Sequence, residues 1–294
     1  MEKIINLGIP HVGELIFEGI DTPGLIECAL VSKTWKVLAE NVLLKRWKGG
    51  LFEACYCGKT EIVRILLERS ENIGIELKGS INGLTPFMSA CKLGHIDVVQ
   101  LLLDYSNAQD EIAIEDNECS TFELVCNNGE KIVVHRLLDP SYIDLNARDD
   151  YGMTAFTYAC SKGHYEIIKL LMDHSNKNIK LDARDNNMDL NARDKHGRTA
   201  FMFACSDGHK DVVRLLLDHS DNNIDLNAKD NNGWTAFFWA CFQGHTDIAK
   251  LLLEHSDINI DLSARDIDEI TVLMDACSHG HTNVVKLILD HSDN

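Results

Sequence analysis

The stretch Cys277-Ser278-His279-Gly280-His281 sets three soft metal-ligating side chains within five positions, the densest such gathering in the chain. A zinc site needs four convergent ligands, and Cys277 has a packing role by its place in a periodic series. Cys55-x-Cys57 puts its two thiols on different sides of a helix, which disfavours chelation. Histidines recur in two columns: His95, His164, His209, His245 and His281 each follow a Gly, while His174, His219, His255 and His291 each follow an apolar helical run. The first column suits structural hydrogen bonds at a turn between helices. The second suits helix C-termini, where the dipole favours a partly protonated imidazole. The 46 acidic residues offer no acid/base pair that stands apart from a solvated face. Phosphate-cradling and nucleophile-elbow motifs are absent. No catalytic residue, metal or cofactor is expected.

The elements that carry these columns are read from their spacing. Cys55, Cys91, Cys126, Cys160, Cys205, Cys241 and Cys277 lie 36, 35, 34, 45, 36 and 36 residues apart. Such a series marks one structural position reused, a small buried thiol packing like Ala or Ser. Stacked helices sit about 8–10 Å apart and a disulfide needs Cα atoms within about 7 Å, so neighbouring rungs should not bridge. The 294 residues, 45% of them hydrophobic, suffice for a large core. A net charge of −18 repels phosphate backbones and anionic membranes. No apolar run spans a bilayer, and MEKIINLGIPHVGE lacks the pattern of a signal peptide. A reducing, cytoplasmic compartment is expected, with the nucleus also open.

Each period has a grammar. Asn-Gly or His-Gly forms a turn, as at Asn232-Gly233 and His196-Gly197. Thr85, Thr154, Thr199, Thr235 or Thr271 follows and caps a short helix, with Pro86 or Ala155, Ala200 and Ala236 at its first position. That helix ends at Gly-His, and a second carries a stripe such as Val212, Val213, Leu216 and Leu217. Neither helix buries its face alone, so the units must stack. The pattern G-x-T-[PA]-F-x-x-A-C-x-x-G-H-x-[DE]-[IV]-x-x-L-L-L resembles the ankyrin repeat. The resemblance covers about residues 49–294 in some seven repeats. It implies an all-α solenoid of helix-turn-helix units with hairpin-like loops. Departures are visible: Met88, Thr157, Met202, Phe238 and Met274 replace the signature His, and the loop HSDNNIDLNA is longer than the family's. The first repeat is incomplete. The third, at 115–148, is degenerate, with Cys119 for Gly and Glu130 for the Gly-His histidine, and should pack less well. A nine-residue insertion at 181–189 duplicates a loop tip, LDARD then LNARD.

Residues 1–48 follow different rules. Three short helices are expected, at about 11–19, 23–30 and 33–40, started by Pro10, Pro23 and capping Ser32. Ile9-Pro10, Leu15-Ile16, Ile20, Leu25, Leu30-Val31-Ser32-Lys33, Trp35, Leu38 and Trp47 resemble an F-box, with Ile9 for the usual Leu. That resemblance implies that Ile9, Pro10, Leu15, Ile16, Leu25, Leu30, Val31 and Trp35 bind the Skp-family adaptor of a cullin–RING ubiquitin ligase. The alternative is a helical cap on the first repeat of a plain ankyrin scaffold or inhibitor.

Between copies, variation is confined to the turn tips and the exposed end of the first helix. The tips carry Tyr151 and Met153, then Lys195, His196 and Arg198, then Asn231, Asn232 and Trp234; Phe242 precedes a Gly-His. Ankyrin resemblance implies that these positions bind a target protein. Aromatic side chains anchor interfaces disproportionately, so Trp234 and Phe242 lead the set, while Phe238 and Trp239 are expected to be semi-buried. The whole reads as a monomeric, non-enzymatic substrate receptor.

Overall fold

The computed structural model describes residues 33–46, 50–68, 84–109, 118–138, 144–177, 188–219, 224–255 and 260–292. The chain divides into two compact units, Met1–Asn117 and Glu118–Asn294. The described residues of unit 1 form α1 (Lys33–Arg46), α2 (Leu51–Tyr56), α3 (Thr60–Glu68), α4 (Pro86–Lys92) and α5 (Ile96–Gln109). In unit 2 they form five helix pairs: α6 (Glu118–Asn128) with α7 (Lys131–Leu138), α8 (Ala155–Ser161) with α9 (Tyr165–Lys177), α10 (Ala200–Ser206) with α11 (Lys210–Asp218), α12 (Ala236–Phe242) with α13 (Thr246–Glu254), and α14 (Val272–Ser278) with α15 (Thr282–Ser292). First helices pack on first helices and second on second, so each unit is a stretch of all-α ankyrin-type solenoid. An isolated β-bridge pairs Arg265 with Thr271. No helix of the described residues is long and apolar enough to cross a membrane.

The threonines cap as their positions require. Backbone N–H groups of Met88, Thr157, Met202, Phe238 and Met274 donate to the hydroxyls of Thr85, Thr154, Thr199, Thr235 and Thr271 at 3.2–3.4 Å. Each such cap contributes about 1 kcal/mol. An aspartate shapes each described tip of unit 2. Asp149, Asp194, Asp230 and Asp266 each accept from two tip N–H groups, at 2.7–2.9 Å. Tips then join along the backbone: Lys195 N–H donates to Tyr151, Asn231 to His196 and Ile267 to Asn232, at 2.9–3.1 Å. The long loops use side chains for the same purpose. Asn146 Oδ1 accepts from Asp189 N–H at 2.6 Å and Asn191 Oδ1 from Asp225 N–H at 2.7 Å. Arg148 and Arg193 reach the carbonyls of Arg193 and Lys229 at 2.9 and 2.6 Å. Of the duplicated LDARD and LNARD, the second therefore supplies the structural copy; residues 181–187 lie outside the described set.

The Gly-His column makes one further ladder. Nε2 of His95, His164, His209, His245 and His281 donates to the carbonyl of Tyr56, Asn127, Ser161, Ser206 and Phe242, in each case in the preceding repeat, at 2.8–3.0 Å. The ring lies against the preceding repeat's glycine. At Gly208, φ is +83° and a Cβ would meet His245 Cε1 at 2.7 Å. Gly280 has φ +71° but nothing within 4 Å of that position.

Cys55, Cys91, Cys126, Cys160, Cys205 and Cys241 are free and fully buried. Burial pushes the Cys55 thiol up to about 12 and holds the other five well above the ordinary thiol range. Cys277 departs from the expectation: it is exposed, because nothing among the described residues packs on α14 as α14 packs on α12. The same absence leaves Met274 at 54% exposure where Met202 has 1%.

Against expectation, the degenerate third repeat packs closely through its first helix, with Phe122, Val125 and Cys126 at 2% exposure or less. Its flaw is one side chain. Glu123 occupies the slot of Thr157 and Met202, is 7% exposed, and its Oε1 has no hydrogen-bond partner. Burial, then the charge of Asp149, raises its pKa to about 7.

On α1, expected to end at 40, the helix continues to Arg46, since KTWKVLAENVLLKR contains no breaker. Leu38, Ala39, Val42 and Leu43 are buried, and α1 packs on α3. Lys36 holds Glu40 at 3.5 Å and Glu68 at 3.2 Å, and Val37 stays 52% exposed. Ile9, Pro10, Leu15, Ile16, Leu25, Leu30 and Val31, with the helices expected at 11–19 and 23–30, lie outside the described residues, as does the side chain of Trp35.

Two stability predictions follow from these contacts. Gly208→Ala meets both the left-handed backbone penalty of a Cβ, about 1 kcal/mol, and loss of the His245 bond, about 1 kcal/mol more. Gly280→Ala meets the strain alone. Urea unfolding should show the first costing roughly twice the second, and equal costs would show that the ring contact contributes nothing. For Glu123, the folded pKa lies above the ordinary carboxylate value, so its favourable contribution exists below that value and is lost as pH rises through about 7. Glu123→Gln should therefore stabilise the protein at pH 8 by a clear margin that shrinks towards pH 5, measured as the difference in urea midpoint between variant and parent.

Candidate functional site

The side chains that differ between repeats gather on the tips and first helices of unit 2. At its Tyr151 end, a cavity of about 190 Å³ is lined by Tyr151, Met153, Tyr158, Lys195, Arg198 and Phe203, among others. Tyr151 is 70% exposed, and Lys195 Nζ stands 6.0 Å from its ring centroid. Tyr158 donates its hydroxyl to Asp149 Oδ2 at 2.6 Å; burial first, and this bond second, hold its phenol well above the usual range. Arg198 gives two hydrogen bonds to Asp194 Oδ2, at 3.0 and 2.8 Å, while its guanidinium carbon lies 4.3 Å from the centroid of Phe203. His196 is exposed at the tip.

One repeat further on, the same positions become aromatic. Trp234 takes the place of Arg198, and Trp239 that of Phe203. The ring of Trp234 stacks on Phe238 at 4.5 Å and meets Trp239 edge-on at 4.7 Å and Phe242 at 5.0 Å. Phe242 in turn meets His279 at 4.8 Å. Both indoles are anchored: Trp234 Nε1 donates to Asp266 Oδ2 at 3.0 Å, and Trp239 Nε1 to Asp230 Oδ2 at 3.1 Å. Asn231 and Asn232 are exposed beside them, and Asn231 Nδ2 donates to Lys195 O at 3.1 Å.

The structure corrects three expectations. Met153 is 8% exposed, a core residue under the tip, with only its edge lining the cavity. Trp234 and Phe242 are half-buried and packed on each other, with Trp234 tied to the next repeat, so they are structural as well as presented. Phe238 is buried at 6% exposure, more deeply than expected, and Trp239 is half-buried. Sequence reading passed over Tyr158 and Phe203. Their signal was available: both stand four residues after a capping Thr, in the column that Trp239 continues. Among the described residues, no group of three or more His, Cys, Asp or Glu side chains is placed to hold a metal ion. What this surface can do chemically is bind: it offers ring faces, carboxylates and exposed amides on a backbone fixed by repeating hydrogen bonds.

Comparison with known proteins bears on the whole stack. The family model described as "Ankyrin repeats (3 copies)" matches residues 39–116, 110–185 and 181–266, and the one described as "Ankyrin repeat" matches 268–294. The first match starts inside α1, twelve residues before α2 begins at Leu51. Among curated proteins, "Ankyrin repeat and KH domain-containing protein mask-1" of Caenorhabditis elegans is 30% identical over 133 residues, 45% of this chain and 5% of that protein. "Ankyrin repeat domain-containing protein 63" of Mus musculus is 33% identical over 117 residues, 38% of this chain and 28% of that protein. "Putative ankyrin repeat protein YahD" of Escherichia coli is 34% identical over 82 residues, 28% of this chain and 39% of that protein. The chain thus spans well under half the length of each. Their shared content is the repeat itself, and with the capped helix pairs and inter-repeat ladders it places this chain in the ankyrin repeat family.

Proposed function

We propose that this protein is a non-enzymatic binding platform that captures a target protein on the tips and first helices of unit 2, from Tyr151 to Phe242. The observation that carries this reading is the contrast within each repeat. Caps, tip aspartates and histidine rungs are the same in the four repeats from Asp149 onwards, while Tyr151, Lys195, His196, Asn231 and Asn232 are exposed and differ. Exposed positions under no packing constraint that hold aromatic and amide groups in one row suit protein recognition.

The finer role in this proposal is substrate receptor of a cullin–RING ubiquitin ligase. The F-box-like segment, residues 1–48, docks the Skp-family adaptor through residues between Ile9 and Trp35, and the repeats hold the target nearby, raising its effective concentration at the ligase. Support comes from the F-box-like residues Ile9, Pro10, Leu15, Ile16, Leu25, Leu30, Val31 and Trp35. The second reading, a cap, is favoured by one observation: α1 already buries Leu38, Ala39, Val42 and Leu43 within unit 1. On the receptor reading, adaptor contacts come from before Leu38, where Lys36 and Val37 are exposed.

Two experiments separate these roles. Tyr151→Ala with Lys195→Glu should reduce target capture at least tenfold in affinity purification from the native cell, with an unchanged melting temperature; undiminished capture would remove the tip surface from the proposal. Trp234→Ala is unsuitable for that test, because it should lower stability and capture together. Leu30→Ala with Trp35→Ala should abolish co-purification of the adaptor and cullin while target capture persists. If the parent chain retains neither adaptor nor cullin, the cap reading stands.

A further inference from the structure

The face described above already stacks its own cations on its own rings. Lys195 stands over Tyr151, and Arg198 over Phe203 with its charge met by Asp194. The third and largest aromatic group, Trp234, Trp239 and Phe242, has no cation of the described residues over it. Its chemistry nonetheless suits one. Asp266 and Asp230 accept the two indole N–H groups, which pushes electron density into the rings and strengthens their attraction for positive charge. Beyond Phe242 lies His279, and beside His279 is Asp275, whose Oδ1 is 3.5 Å from Nδ1. Asp275 is nine-tenths buried, and its Oδ2 has no hydrogen-bond partner. A buried carboxylate oxygen without a donor is costly to leave that way. Burial, opposed by His279, holds the Asp275 carboxyl above its ordinary range.

We propose that the aromatic group of Trp234, Trp239 and Phe242, bordered by Asp266 and Asp275, is a recognition site for an arginine side chain of the partner protein. The neighbouring repeat shows the same chemistry within the chain: the Arg198 guanidinium carbon lies 4.3 Å from the Phe203 ring centroid while the group hydrogen-bonds the Asp194 carboxylate. The guanidinium matches this site better than an ammonium, because it stacks and donates in a plane at once. The net charge of −18 favours the approach of a basic segment. This inference rests on the proposed target surface and specifies what one part of it reads.

The test titrates N-acetyl-arginine amide into the full chain and follows the two indole N–H signals of Trp234 and Trp239 by NMR. N-acetyl-citrulline amide, nearly isosteric and uncharged, is the control. Saturable shifts with arginine that are absent with citrulline are expected. Phe242→Leu and, separately, Asp275→Asn should each weaken them about fivefold, with both variants shown folded by circular dichroism. Equal shifts from citrulline, no shifts, equal binding of N-acetyl-lysine amide, or indifference to Asp275→Asn would each overturn the assignment. If arginine fails here while Tyr151→Ala with Lys195→Glu still abolishes capture, the target surface stands and the arginine site falls.

Discussion

Within both units, the fold depends on a histidine ring resting where the preceding repeat has no side chain. The glycine is needed twice, for its backbone angle and for the space it leaves, and the histidine fills that space while satisfying a carbonyl at the end of the preceding first helix. One pairing thus fixes the spacing between neighbours and closes a helix terminus whose carbonyls would otherwise need water. Because donor and acceptor sit at the same places in every copy that carries the histidine, which the third, with Glu130 instead, does not, the register of one such repeat follows that of its neighbour. The tip aspartates and the Asn and Arg side chains of the long loops repeat the principle on the outer parts of the same units.

That backbone regularity is what frees the surface to vary. Arg198, Trp234 and Ile270 occupy one position in successive repeats, and each leaves the Asp turn beneath it intact. A binding face built this way loses little entropy on association, because its main chain is already ordered. It also explains why the presented residues are not wholly free of structural duty. Trp234 reaches across to Asp266 of the following repeat, so the most conspicuous ring on the face also couples two repeats.

Much of this was legible in the residues themselves. The Thr caps, the Gly-His turns and the buried cysteines follow from local chemistry repeated at a fixed period, and the structure places them as that chemistry demands. Burial at a tip was harder to read. Met153 and Trp234 share a sequence slot, yet one is sealed and the other half-exposed, because exposure there depends on the size of the side chain four or five positions on and on the repeat stacked above. Cys277 shows the same limit: its slot reads as core, but a slot is core only when another repeat covers it. Glu123 was invisible for a related reason, since a carboxylate in a degenerate copy looks solvated until its neighbours are in place.

The cysteine series has a consequence for observing the molecule. Six thiols, one per repeat from Cys55 to Cys241, are sealed and held protonated, whereas Cys57 and Cys277 face solvent. A thiol-reactive reagent therefore reads fraying directly: each sealed sulfur becomes labelled only when its own repeat opens, so the order of modification along the chain maps which part of the stack melts first.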